Sequence, residues 1–152
     1  YCDNGIKFFS SACTKLTDAV ELAVVAEIDK GFHCEASDNL GKARRLDDAA
    51  GRYVEFCKST FPAGLDLKGM KLYLDCANGA SYHVAPAVFH ELGADVTADA
   101  VSPNGFNINE GVGATHTDTL AERTAKAGCA YGLAFDGDAD RLIMADAAGH
   151  RL

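Results

Sequence analysis

The sequence predicts an α/β protein built from βαβ units, with a mainly parallel mixed sheet flanked by helices. Three observations predict it. Met70 to Cys76 (MKLYLDC) alternates in the manner of a strand. Val84, Ala85, Val88, Phe89 and Leu92 then recur at helical spacing. Ala94 to Ala98 and Ala130 to Phe135 return to short apolar runs, and strand, helix and strand joined by few residues favour a parallel pair with a right-handed crossover.

Taken in order, the elements start with a turn signal at Asn4-Gly5, followed by Ile6 to Phe9 as a short strand. Asp18 with Glu21 marks a helix start. Leu22, Val25, Ala26 and Ile28 give that helix an apolar face to about Lys30, and Gly31 suits its end. Leu46, Ala50, Tyr53, Cys57 and Phe61 form one stripe of a second helix, expected from about Gly41 to Phe61, with Lys42, Arg44 and Arg45 on its wet face. Pro62, Gly64 and Gly69 break the pattern, so FPAGLDLKG is expected to separate a unit 1–63 from a unit 64–152.

After the strand at 70–76, Ala77-Asn78-Gly79-Ala80 turns, and Ser81 is placed to cap the helix that stops at Gly93. A loop rich in Asn and Gly (SPNGFNINEGVGAT) leads to a weaker helix near Thr117 to Lys126 and then to the buried strand Ala130 to Phe135. Leu142 to Ala145 resumes as a strand, and Ala148-Gly149 suggests a hairpin.

Composition excludes some function classes. With 48% hydrophobic and 24% charged residues the 152-residue chain has a globular balance. A net charge of -8 argues against nucleic acid or an anionic membrane surface as partner, since both are read by clustered Lys and Arg. Six cysteines contain no CxxC pair or metal-ligand spacing, which fits free thiols in a reducing cytoplasm. The opening YCDNGIKFFS has no signal-peptide pattern, and no apolar run approaches the ~20 residues a bilayer needs. The expectation is a soluble cytoplasmic protein.

The densest chemical signal is FDGDADRLIM, Phe135 to Met144. Asp136, Asp138 and Asp140 repel one another and raise each other's pKa values unless a positive charge sits among them, and a divalent cation supplies it. Gly137 and Ala139 keep the spacers small, so the backbone can curl and aim three oxygens at one point; hard oxygen ligands suit Mg²⁺. The loop follows a buried strand, at the edge where open α/β sheets place ligands. A solvated acidic turn stays as the alternative. An EF-hand is excluded, because its sixth and twelfth positions are Arg141 and Ala147 rather than Gly and Glu. An aspartyl nucleophile of the haloacid-dehalogenase kind fits YGLAFDGD superficially, but Asp140 stands where Thr or Val is usual there, and the motif comes late in the chain.

FDGDADR resembles the metal-binding loop of the α-D-phosphohexomutase superfamily. LDCANGASYHVAPAVFHELGADV, PNGFNINEGVGATH and YCDNGIKFFSSACTKL resemble its bacterial branch that acts on glucosamine phosphates. The resemblance covers essentially the whole chain. It implies the end of the first domain and most of the second domain of a four-domain enzyme. That enzyme interconverts glucosamine 6-phosphate and glucosamine 1-phosphate through a phosphoserine and a bisphosphorylated sugar, toward UDP-N-acetylglucosamine and cell-wall polymers. It further implies Mg²⁺ on Asp136, Asp138 and Asp140, Arg141 facing the same phosphate region, Lys7 near the phosphoserine in an acid/base role, and a sugar phosphate as the small-molecule partner. By residue type alone, Lys7 is a solvent-facing strand lysine, and Arg141 is as well read as a salt bridge to a loop aspartate. The same motifs leave two other readings: a mutase of glucose or mannose phosphates, and a non-catalytic metal-binding α/β module.

Departures from the superfamily pattern carry expectations of their own. The serine loop, of the form SASHNP in relatives, is expected just upstream of Tyr1, which places the catalytic serine outside this chain and leaves the piece inactive by itself. Sheet partners lost from the first domain would expose apolar surface that invites homo-oligomers. Ala139 and Cys13 stand where glycine is usual. Alanine at 139 is tolerable only if the loop needs no positive φ there.

Overall fold

The computed structural model describes residues 7–31, 33–148 and 150–152. The chain divides into two compact units, Tyr1–Arg45 and Leu46–Leu152. Cys2, the Asn4-Gly5 turn, Ile6 of the expected first strand and Gly149 of the expected hairpin lie outside the described residues.

In the first unit α1 spans Asp18–Ile28. Asp18 and Glu21 sit in its first turn, where the positive end of the helix dipole favours carboxylates. Gly31 takes a φ of 90° and donates its N–H to the Ile28 carbonyl at 3.3 Å, closing the helix where its glycine predicts. Of the expected strand Ile6–Phe9, the described part forms one antiparallel bridge, Phe9 with Lys15. The turn between them bonds Ser10 N–H to the Thr14 carbonyl and Cys13 N–H to the Ser10 carbonyl, both at 2.9 Å. Cys13 has a φ of 58°, a conformation that glycine adopts without penalty. Phe8 and Phe9, with Val20, Leu22, Val25 and Ile28 of α1, are exposed.

The second unit runs α2 (Ala49–Ser59), β1 (Lys71–Asp75), α3 (Val84–Glu91), β2 (Asp95–Asp99), α4 (Leu120–Lys126), β3 (Tyr131–Phe135) and β4 (Leu142–Asp146). A 3₁₀ turn, Thr117–Thr119, precedes α4. Two expectations need correction. First, α2 starts at Ala49, not near Gly41, and Lys42, Arg44 and Arg45 precede it. Cations in a first turn oppose the helix dipole, whereas Asp47 and Asp48 stand just before Ala49, and Asp48 pairs with Arg52 one turn on. The helix packs on α3, and Lys58 Nζ donates to Glu91 Oε2 at 2.6 Å, so residues on both sides of FPAGLDLKG belong to one compact unit. Second, Ser81 caps nothing: it lies inside a 3₁₀ turn, Ala80–Tyr82, and its side chain is buried.

The sheet has the order β2-β1-β3-β4. β1 is parallel to both neighbours, with Asp75 opposite Asp99 on one side and Ala134 on the other, and β4 runs antiparallel to β3. The alternation of MKLYLDC predicts a strand, and β1 is one. Leu72 to Asp75 are all buried, because β1 is central and both faces carry cover. On one face Leu72, Leu74, Cys76 and Leu133 pack with Ala85 and Phe89 of α3; on the other Tyr73, Ala134 and Ala145 pack with Leu120 of α4 and with Cys129. Full burial of a side chain such as Leu74 contributes roughly 1.5–3 kcal/mol. Gly132 of β3 lies against the buried Thr124 of α4, leaving no room for a Cβ.

β1 to β2 runs through α3, and β2 to β3 returns past β1 through α4. The strand order therefore reverses at β1, and the loops leaving the C-terminal ends of β1, β2 and β3 meet at one edge, where a doubly wound sheet binds ligands. Among the described residues no helix is long and apolar enough to cross a membrane.

Candidate metal site

The acidic loop begins where β3 ends. Phe135 closes the strand, Asp136 is buried, and Asp138 and Asp140 are exposed. Ala139 N–H donates to the Asp136 carbonyl at 3.1 Å, which curls the chain into a tight turn. The curl points the carboxylates together: one oxygen from each of Asp136, Asp138 and Asp140 lies within 4.8 Å of the others. Mutual repulsion follows. The charges of Asp138 and then Asp136 hold the Asp140 carboxyl above its ordinary range. Three convergent, oxygen-only donors fit a hard divalent cation, and the arrangement leaves its outer side open for further oxygens.

The expectation about Ala139 meets a correction. Its φ is 62°, in the left-handed region that costs an L-residue about 1–2 kcal/mol. The loop does require a positive φ, and the alanine carries the strain that a glycine would not.

Backbone from two other loops holds this turn. Ala80 N–H donates to the Gly137 carbonyl at 2.8 Å. Gly79 approaches so closely that a Cβ on it would stand 2.7 Å from Gly137 Cα. From the long loop after β2, Ala114 N–H donates to the Phe135 carbonyl at 2.8 Å, and Asn109 N–H donates to the Ala77 carbonyl at 2.9 Å. Gly113 has a φ of 79°, and a Cβ there would lie 2.6 Å from the Phe135 carbonyl oxygen. Asn78 ties the loop after β1 to the loop after β2, its Oδ1 accepting Ser102 N–H at 3.0 Å while its backbone N–H reaches the Ala100 carbonyl at 2.7 Å.

Asp75 lies beneath these loops and was not singled out by its sequence. It is 3% exposed at the end of β1, with Oδ1 accepting Ala77 N–H at 3.0 Å and Oδ2 accepting Gly113 N–H at 2.8 Å. The one available signal was a carboxylate closing an otherwise apolar central strand.

Of the remaining predicted residues, Arg141 joins the site. Its backbone N–H donates to Asp136 Oδ1 at 3.2 Å, and its Nε lies 3.6 Å from Asp136 and 3.8 Å from Asp140. The guanidinium is mostly exposed, within reach of an anion brought to the loop. Lys7 belongs to the first unit, where it is exposed and shares an apolar hollow with Phe8, Phe9 and Val25. Beside the acidic loop, a cavity of about 310 Å³ is lined by Tyr53, Cys57, Val84, Val88, Phe135 and Asp138. The described cysteines, Cys13, Cys34, Cys57, Cys76 and Cys129, all carry free thiols.

Comparison with known proteins adds to this geometry. The family description "Phosphoglucomutase/phosphomannomutase, alpha/beta/alpha domain II" matches residues 51–149. Phosphoglucosamine mutases of Burkholderia mallei (strain SAVP1) and Burkholderia pseudomallei (strain K96243) are each 62% identical to the chain over 149 residues, covering 98% of it and 33% of the relative. The chain thus spans about a third of the length of the curated relatives it matches. A crystal structure of a phosphoglucomutase/phosphomannomutase family protein from Burkholderia thailandensis superposes with a TM-score of 0.58 at 23% identity, over 89% of this chain and 28% of that one. At that identity it supports the fold.

Proposed function

The chain belongs to the phosphoglucomutase/phosphomannomutase family, and from that premise we propose that it supplies the metal-loop domain of a phosphoglucosamine mutase. In this reading the protein interconverts glucosamine 6-phosphate and glucosamine 1-phosphate in the cytoplasm, through a phosphoserine and a bisphosphorylated sugar. The observation that carries it is the convergence of Asp136, Asp138 and Asp140, their oxygens within 4.8 Å, at the C-terminal end of β3 beside Arg141. The naming of the 62%-identical relatives supports the amino sugar as substrate.

Asp136, Asp138 and Asp140 would hold Mg²⁺, which when bound supplies charge neutralisation to a transferring phosphoryl group. Asp136 is the fixed member, buried and bonded to the Arg141 N–H, so it orients the turn, and the two exposed carboxylates would supply the remaining protein oxygens. Arg141 binds phosphate oxygens through its planar fork of donors. Lys7 holds or releases a proton at the reacting hydroxyl, the role that the sequence resemblance assigns to it.

Two measurements test the reading. Calorimetric titration of Mg²⁺ should give a saturable isotherm for the protein and none for Asp138→Ala; flat traces for both remove the ion from the site. A coupled assay of the protein carrying this chain should convert glucosamine 6-phosphate in preference to glucose 6-phosphate, and the reverse preference rejects the amino-sugar assignment.

A further inference from the structure

We infer that Asp75 is a positioning residue for the acidic loop, setting the geometry of Asp136 through the two loops its carboxylate ties together. The inference deepens the metal reading above and rests on it for its affinity arm alone. Asp75 is not a member of the convergent Asp136, Asp138 and Asp140 cluster, and its oxygens serve backbone instead: Oδ1 accepts Ala77 N–H at 3.0 Å and Oδ2 accepts Gly113 N–H at 2.8 Å. Each bond begins a short path to the acidic loop. Gly113 is followed by Ala114, whose N–H donates to the Phe135 carbonyl, the peptide that carries Asp136. Ala77 begins the turn whose Gly79 and Ala80 press on and bond to Gly137, the residue after Asp136. One buried carboxylate is therefore linked to the peptide before Asp136 and to the Gly137–Asp138 peptide that follows it by one residue.

Charge strengthens both bonds, since N–H donors bind a carboxylate about twice as strongly as a neutral acceptor. Both residues it holds have positive φ, 54° at Ala77 and 79° at Gly113. A conformation that alanine takes only at a cost persists when surrounding bonds over-determine it. The Asp75 carboxylate supplies such a bond on each side. Groups bonded directly to metal ligands change metal affinity by about 10–100-fold when replaced; Asp75 stands one loop further back and acts on Asp136 through the backbone of those loops.

The experiment compares the protein with Asp75→Asn, which keeps the shape but loses the charge and turns an N–H₂ toward one of the two N–H donors. Asp95→Asn, at the exposed start of β2, is the control. Amide hydrogen exchange is followed at Ala77, Gly113 and residues 136–141, and Mg²⁺ affinity is read by calorimetry. The expected result is at least tenfold faster exchange at Gly113 and across 136–141 in Asp75→Asn, and at least tenfold weaker Mg²⁺ binding, with cooperative melting retained and Asp95→Asn unchanged. Wild-type exchange at 136–141 in folded Asp75→Asn overturns the inference. Failure of the unmodified protein to bind Mg²⁺ overturns the metal reading instead, and the exchange result still decides the role of Asp75. If Asp75→Asn melts below the assay temperature, Asp75→Glu is measured in the same way; its extra methylene keeps the charge but displaces both bonds, and unchanged exchange there equally overturns the inference.

Discussion

The backbones of Gly79 and Gly137 touch: a Cβ built on Gly79 would stand 2.7 Å from Gly137 Cα and 2.8 Å from its carbonyl carbon. Gly79 itself has an ordinary extended backbone, with a φ of -102°, so the glycine is needed for proximity and not for conformation. Gly79→Ala should therefore push the acidic loop outward. The expected result is a loss of about 1–3 kcal/mol, the usual consequence of overpacking, accompanied by weaker Mg²⁺ binding. Gly51→Ala is the contrast, since a Cβ there, in the first turn of α2, meets nothing within 4 Å. It should stabilise by about 0.5–1 kcal/mol. Denaturant unfolding of both variants checks the pair, and equal effects of one sign would reject the close-approach argument.

Ala139→Gly should stabilise the protein. Ala139 holds a φ of 62° in the turn that aims the carboxylates, and Cys13 holds 58° in the turn before α1. Relief of a left-handed penalty of about 1–2 kcal/mol is partly offset by the wider freedom glycine has when unfolded, leaving a gain of about 0.5–1 kcal/mol at either site. Thermal melts of Ala139→Gly and Cys13→Gly measure it. A lower melting temperature in both would mean that these turns carry no strain.

What was legible in the sequence was local. FDGDADR announced a convergent acidic turn because three carboxylates, two small spacers and a preceding apolar strand lie within ten residues. The apolar rhythm of 70–98 gave a βαβ unit with boundaries close to those observed. The rest depended on distance along the chain. Asp75 reaches Gly113, and Gly79 reaches Gly137, and no periodicity encodes either meeting. The start of α2 differs for another reason: a helix running back to Gly41 puts Lys42, Arg44 and Arg45 in its first turns, where the helix dipole disfavours cations, and the helix begins at Ala49 instead.

Thiol chemistry should separate the cysteines by burial. Cys76 is fully buried at the end of β1, and burial pushes its thiol up to about 11, with the nearby Ser81 hydroxyl drawing it only partly back. Cys13 and Cys34 are exposed. A thiolate-selective reagent at neutral pH should label Cys13 and Cys34 rapidly and Cys76 only on unfolding, because the thiolate is the reacting form. Peptide mapping after a short pulse gives the order, and early labelling of Cys76 in folded protein would contradict the buried position.

Tyr73 couples the core to pH at both ends of the scale. Its ring is buried, its hydroxyl donates to Asp99 Oδ2 at 2.5 Å, and Arg123 Nη1 lies 3.4 Å from the same oxygen. Burial, then the bond to Asp99, raise the phenol well above its ordinary value. A raised phenol stays protonated in the folded state, so its contribution is complete below about pH 10 and is lost as pH rises beyond it. Asp99 moves the other way, held low first by the Tyr73 hydroxyl. Its contribution is present above about pH 3.9 and is lost as pH falls through the lower folded value. Tyr73→Phe should lower stability at neutral pH by about 1 kcal/mol, the net worth of one hydrogen bond. It should also flatten the alkaline fall and make the acid fall shallower, because both shifts depend on the hydroxyl. Melting temperatures of the two proteins from about pH 3 to about pH 11 give the comparison; profiles that run parallel throughout would show that the hydroxyl shapes neither arm.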